Sequence, residues 1–198
     1  PLLSHNSQVA VTFDVSVYEM QLREKCHQDP LLDEKLTWLK QLSQFELGRF
    51  LLMNKGLNGY WTTYLILHGP QKSGLSELEA WIVKSAPSVK ATRERFFIFK
   101  HILQNSAGDH KVMASIPCGT MDDLLELETA HFNNMTLVGV DFDPEAIQLA
   151  QKNSAARSPK NQSTVMFHEK DAWQLSEPEQ FNVIASNGLN IYEPDHDR

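Results

Sequence analysis

KVMASIPCGTMDDLLELETAHFNNMTLVGVD, residues 111–141, carries the alternation on which the fold rests. A short apolar run, Val112 to Ile116, reads as a strand. Pro117-Cys118-Gly119-Thr120 reads as a tight turn, and Leu124, Leu125 and Leu127 as the apolar stripe of a helix. A second apolar run, Leu137 to Val140, ends on Asp141. A helix between two strands makes a βαβ unit with parallel strands. Open parallel sheets bind ligands beyond the carboxyl ends of their strands, where strand order reverses. The turn and Asp141 are both expected at that edge.

Downstream, Asp143-Pro144 starts a helix, with the acid as cap and proline in the first turn. The helix is expected to run to about Asn153, with Ile147, Ala150 and Leu149 inward, before a polar loop from Ser154 to Gln162. Val165-Met166-Phe167 reads as a third strand, followed by Glu169-Lys170-Asp171-Ala172-Trp173. Phe181 to Ala185 reads as a fourth, followed by Ser186-Asn187-Gly188-Leu189. Gly119 lets the backbone approach a ligand, and the next helix start offers free N–H groups to a carboxylate or phosphate. Asp141 can accept hydrogen bonds from two vicinal hydroxyls and follows Gly119 by about 20 residues, the separation expected of a ribose-binding acid. Asp171 can accept from an exocyclic amine, with Ala172 and Trp173 offering backbone and a flat apolar contact to a purine.

In this order the motifs resemble those of the class I S-adenosylmethionine-dependent methyltransferases over roughly residues 108 to 195. IPCGTMDDLLEL stands where that family has its glycine-rich first motif, and VGVDFDPEAIQLAQKN resembles the second-strand motif. EKDAWQL resembles the adenine motif and FNVIASNGLNIYEPD the fourth-strand motif. The resemblance implies an α/β fold with a Rossmann-like parallel sheet. It implies S-adenosyl-L-methionine as cofactor and a cofactor-binding set of Ser115, Pro117, Cys118, Gly119, Asp141, Phe142, Asp171, Ala172, Trp173, Asn187 and Gly188. The first motif departs from the family pattern: Ser115 stands where an acid is usual, and Pro117 and Met121 where glycines are usual. The fourth motif is not the Asn-Pro-Pro-Tyr type associated with base methylation, so no nucleic-acid substrate is expected. The family's sheet has seven strands and four are legible before Arg198. Strands five to seven are therefore expected to be missing, leaving a truncated domain whose fourth strand is a bare edge. Such edges are normally covered or paired, so the chain is expected to be a truncated or proteolysed piece, or to have a partner chain, such as a second copy in a homodimer, over that edge.

Upstream, residues 1–107 read as a helical N-terminal segment or lid and residues 108–198 as a Rossmann-like cofactor-binding half-domain, with a polar connector from Asn105 to His110 between them. Pro1 to Val17 is either an extended arm or an early helix. Asp29-Pro30 is expected to start a helix with Leu32, Leu36, Leu39 and Phe45 near one face, ending at Lys55-Gly56. Gly56 to Tyr64 sets three large aromatics behind two glycines. It is either a helix break before a buried aromatic cluster, or a lid placing Tyr60 and Trp61 over a cationic ligand. Ser76-Glu77-Leu78-Glu79 matches a capping box. Pro87 is expected to stop that helix and Ser88 to cap another through Gln104, with Val89, Phe96, Phe99 and Leu103 inward. Arg93, on this helix, is either surface charge or a cleft residue.

With 198 residues, 41% hydrophobic and 22% charged, the chain can bury one α/β core plus a helical appendage. A net charge of -7 with no basic stripe argues against coating nucleic acid. Two distant cysteines, Cys26 and Cys118, argue against a disulfide framework and fit a reducing, cytoplasmic setting. No apolar run is long enough for a bilayer and no signal peptide is legible, so no membrane role is expected. Histidines lack metal-ligand spacing, so no metal is expected. Methyl transfer from a sulfonium needs alignment more than a base, so no catalytic residue is assigned, with Tyr60 and Asn187 as candidate orienting groups. The acceptor is a small molecule or a protein. Two other readings stand beside this one. A non-catalytic scaffold that keeps the fold fits the depleted first motif, and a nicotinamide-binding oxidoreductase would need more glycines in the first turn.

Overall fold

The computed structural model describes residues 13–54, 56–157, 163–175 and 181–189. Among these, the chain divides into two compact units. One comprises residues up to Leu57 together with Tyr64–Lys90; the other comprises Asn58–Thr63 and the residues from Ala91 onward.

The first unit is helical. Helix α1 spans Val15–Lys25, so the early-helix alternative holds for the end of the Pro1–Val17 stretch; residues 1–12 lie outside the described residues. Asp14 caps α1 by accepting from Ser16 N at 2.9 Å. The single helix expected from Pro30 to Lys55 is instead two, α2 at Leu32–Leu42 and α3 at Glu46–Met53. Asp29 Oδ1 accepts from Leu31 N at 2.8 Å, which ties Asp29 to Leu31 into a turn and delays the helix start. At the break, Ser43 Oγ and Gln44 Nε2 both donate to Lys40 O, at 2.7 and 3.2 Å. Side chains that compete for the last carbonyls end a helix. The corner is tight: a Cβ on Gly48 would lie 2.0 Å from Leu42 O, so only glycine fits. Leu36, Leu39 and Phe45 are buried as the stripe requires, whereas Leu32 is half-buried. Lys55, one half of the expected Lys55-Gly56 cap, lies outside the described residues.

Helix α4 covers Gly59–Thr63 and belongs to the second unit. The chain continues in the first unit through a π-helical turn at Tyr64–His68. Helix α5, Glu77–Lys84, is capped by Ser76 Oγ, which accepts from Glu79 N at 3.3 Å. Pro87 does not merely stop α5: it is the first residue of α6, Pro87–Ser106, where the N–H it lacks would have had no helical partner.

The second unit holds the sheet. Strands β1 (Val112–Ser115), β2 (Thr136–Asp141), β3 (Thr164–Glu169) and β4 (Val183–Ala185) are all parallel, in the order β3-β2-β1-β4. That is the strand order of a Rossmann-like half-sheet. Register sets Ser115 beside Gly139 and Ala185, and Asp141 beside Glu169, so the carboxyl ends share one edge. Helix α7 is shorter than its stripe suggests, one turn at Asp122–Leu125, though Leu124, Leu125 and Leu127 are all buried. Helix α8, Pro144–Arg157, runs past the expected end at Asn153 through Ser154, Ala155 and Ala156 to Arg157; residues 158–162 lie outside the described residues. Asp143 caps it, accepting from Glu145 N at 2.9 Å.

Both sheet faces are covered, which is why β1 and β2 read as continuous apolar runs. Met113, Leu137 and Ala185 pack with Leu103, Leu124, Ile147 and Ala150 on one face. Ala114, Ile116, Val138 and Val140 occupy the other, with Phe181 and Leu175 against them. Among the described residues β4 is an outer strand, with Ile184 57% exposed.

Gly139 lets the first turn lie down on β2. A Cβ there would meet Met121 Sδ at 2.9 Å, Cys118 Sγ at 3.1 Å and Phe167 Cδ1 at 3.1 Å. Gly139→Val is expected to lower unfolding stability by about 1–3 kcal/mol through overpacking, read as a shift in urea midpoint at unchanged slope.

Candidate functional site at the carboxyl edge of the sheet

After β1 the backbone must reverse above the sheet edge. Two residues take left-handed conformations to do so, Gly119 at φ +52° and Met121 at φ +59°. Glycine adopts this without penalty; Met121 does so while fully buried, held by the core. Two hydrogen bonds hook the turn onto β2. Cys118 N donates to Val140 O at 2.8 Å, and Gly119 N donates to Asp141 Oδ2 at 2.8 Å. Asp141 Oδ1 accepts from Asp143 N at 3.0 Å. Asp141 thus ties the two loops at the ends of β1 and β2 together, and each of its oxygens keeps lone-pair capacity for a further donor. Burial, then the nearby Asp143 charge, raises its carboxyl above the usual range, against the pull of the two backbone donors.

A cleft opens past the ends of β2 and β3, lined by Phe142, Glu169, Lys170, Asp171 and Gln174; Asp141 itself is not in the lining, but Phe142 follows it in the chain and Glu169 is its register partner on β3. Phe142 is 63% exposed, an apolar face available to a flat group. Asp171 lines the cleft and also caps the 3-10 turn at Ala172–Gln174 by accepting from Trp173 N at 3.0 Å. Of its expected companions, Ala172 turns toward the sheet core and Trp173 stays half-exposed outside the lining. Asn187 and Gly188 follow β4 after Ser186, and Gly188 has φ +90°. Since β4 pairs with β1, they share the edge with the Gly119 turn.

Ser115 and Cys118 are buried, and Pro117 is half-buried. Ser115 Oγ donates inward to Asp123 Oδ2 at 2.8 Å. The Cys118 thiol is pushed far up, first by burial and then by the charges of Asp141 and Asp123, so it stays protonated and is no nucleophile. Tyr60 is 47% exposed and meets Trp61 edge to face at 5.0 Å, and Arg93 is half-buried on α6. A second concavity, lined by Lys100, Glu126, Thr129, His131 and Arg157 among others, contains no residue from a strand's carboxyl end.

Sequence reasoning missed two acids. Asp122 and Asp123 look like ordinary charges at a helix start, yet both are buried. Asp122 collects Asn153 Nδ2 and Arg157 Nη2 on Oδ1, each at 2.9 Å, and the hydroxyls of Thr63 and Thr120 on Oδ2. Asp123 accepts from Ser115 Oγ and from Leu124 N. Two acids directly before Leu124-Leu125, on a helix whose neighbours must all be inward, were the available signal. Glu169, Lys170 and Gln174 were also missed as cleft lining.

Residues 109–198 match a family described as "Methyltransferase domain". No curated protein matches the chain. Among solved structures, a possible exported protein from Bordetella parapertussis is 36% identical with TM-score 0.78, over 92% of this chain and 63% of that one. The chain therefore spans less than two thirds of that relative's length. Magnesium protoporphyrin IX methyltransferase from Synechocystis PCC 6803, with bound S-adenosylmethionine, is 16% identical with TM-score 0.41, over 71% of this chain and 67% of that one.

Burial pushes the Asp123 carboxyl up from 3.8 to about 6, against the hydrogen bonds from Ser115 and Leu124 N. A raised folded-state value favours folding fully below the unfolded value and loses that contribution as pH rises through the folded one. The parent should lose stability between about pH 4 and pH 6 on this account. Asp123→Asn keeps a partner for Ser115 without the charge. In urea unfolding, the variant should gain on the parent by up to about 3 kcal/mol from pH 4 to pH 8.

Proposed function

We infer the function from one premise: residues 109–198 match a methyltransferase-domain family. The chain is proposed to bind S-adenosyl-L-methionine across the carboxyl edge of its sheet and to direct the methyl group in line to a small-molecule or protein acceptor. The observation that carries this reading is Asp141, which closes β2, braces the Gly119 turn and stands beside the Phe142 cleft.

The residues fit the group. Asp141 spends one acceptor site per oxygen on backbone N–H groups and retains others for two vicinal hydroxyls. Phe142 offers an exposed ring to a purine, and Asp171 at the cleft wall offers an acceptor to an exocyclic amine. The Gly119 turn is proposed to border the path of the amino-acid end. When bound, the sulfonium supplies a methyl group that is already electrophilic. The chain's own contribution is then alignment and exclusion of water, which together can account for a large rate enhancement without a dedicated base. Tyr60 and Asn187, both polar, are the proposed orienting groups for the acceptor.

Titration calorimetry of the intact chain with S-adenosylhomocysteine and S-adenosylmethionine tests this. Saturable binding is expected, weakened at least about 10-fold in Asp141→Ala, which removes hydrogen bonds to a carboxylate. No binding by the parent, or equal binding by the variant, would overturn the reading.

A further inference from the structure

The stretch 58–63 is distant in sequence from every cofactor motif, yet it packs on the Gly119 turn. Asn58, itself buried, caps α4 by accepting from Trp61 N at 2.9 Å. The first residue of α4 touches the turn through backbone alone: a Cβ on Gly59 would lie 3.0 Å from Gly119 Cα, and one on Gly119 would lie 3.5 Å from Gly59 Cα. Facing glycines permit this approach. The last residue of α4 is fastened by side chains. Thr63 Oγ1 is hydrogen-bonded to Thr120 Oγ1, Thr120 Oγ1 donates to Asp122 Oδ2, and Thr63 Oγ1 also lies 3.2 Å from Asp122 Oδ2. Each threonine has one hydroxyl proton, and both hydroxyls lie within donating reach of Asp122 Oδ2. The other oxygen of Asp122 is held by Asn153 and Arg157 from α8, and Asn153 Nδ2 also donates to Thr120 O at 2.9 Å.

We propose that Thr63 and Asp122 are positioning residues that lock α4 onto the cofactor turn, so that cofactor binding and the docking of residues 58–63 are coupled. The proposal rests on the methyltransferase reading and deepens it. The turn's left-handed geometry is braced from one side by Asp141 and from the other by α4. A ligand that requires this geometry binds more tightly when α4 is docked. By linkage, the ligand must then favour docking by the same factor.

Thr63→Val removes the hydroxyl at nearly constant volume, and Thr63→Ser restores it. Amide hydrogen exchange of residues 59–63 and calorimetric affinity for S-adenosylhomocysteine are measured on the intact chain. Without ligand, exchange at 59–63 should be faster in Thr63→Val than in the parent. With ligand, exchange there should slow in the parent and in Thr63→Ser. Affinity should fall about 5-fold in Thr63→Val, roughly one hydrogen bond's worth, and recover in Thr63→Ser, while the global unfolding midpoint moves little. A second variant, Gly59→Ala, should weaken binding at least as much by pushing α4 off Gly119. A parent that binds while Thr63→Val binds equally well, or while ligand leaves exchange at 59–63 unchanged, would overturn the coupling. A parent that binds no ligand would remove the methyltransferase reading and the coupling with it, a result distinct from the first.

Discussion

The hydrogen bond from Gly119 N to Asp141 Oδ2 is the constraint around which the second unit is arranged. It requires β1 and β2 to be neighbours in parallel register, with Ser115 level with Gly139. It requires a residue without a side chain at position 139, because Cys118, Met121 and Phe167 already fill the space a Cβ would take. It also requires a turn that reaches left-handed geometry twice within three residues. Each requirement is met by a different part of the sequence. The edge is therefore a property of the folded unit and not of the motif alone.

The sheet was legible in the sequence because buried parallel strands leave an unmistakable trace, short apolar runs bounded by turn residues. Thr136–Asp141 and Thr164–Glu169 each contain their expected run, and Val112–Ser115 covers its run except for Ile116. Asp143 as a cap, leaving Asp141 for another role, was legible from the proline that follows it. The helical half was less so. The break between α2 and α3 depends on Ser43 and Gln44 turning back onto Lys40 O, a choice that periodicity does not encode. The extension of α8 to Arg157 depends on an acid 35 residues earlier. Partners that distant leave no local pattern, and the same reason hid the link between Thr63 and Asp122.

Three acids near one turn, Asp122, Asp123 and Asp141, show three ways of keeping a carboxyl out of water. Asp122 is satisfied by a cation, an amide and two hydroxyls, so its charge is paired. Asp141 is satisfied largely by backbone N–H groups and retains acceptor capacity. Asp123 has a hydroxyl and its neighbour's N–H but no cation, and burial pushes its carboxyl up to about 6. Unpaired buried charge neutralises in preference to persisting. Of the three, only Asp141 combines partial exposure with spare acceptor sites.

Residues 58–63 group with the sheet although the residues on either side, up to Leu57 and from Tyr64, group with the helical unit. A short helix carrying no fully buried apolar side chain contributes little hydrophobic burial to hold it there. Its attachment includes close backbone packing of Gly59 on Gly119 at one end and the directional Thr63–Thr120–Asp122 hydrogen bonds at the other. Directional contacts are specific and individually weak, about 1 kcal/mol each. An element held in this way can be retained or released by a ligand of ordinary affinity, whereas one buried in the core could not.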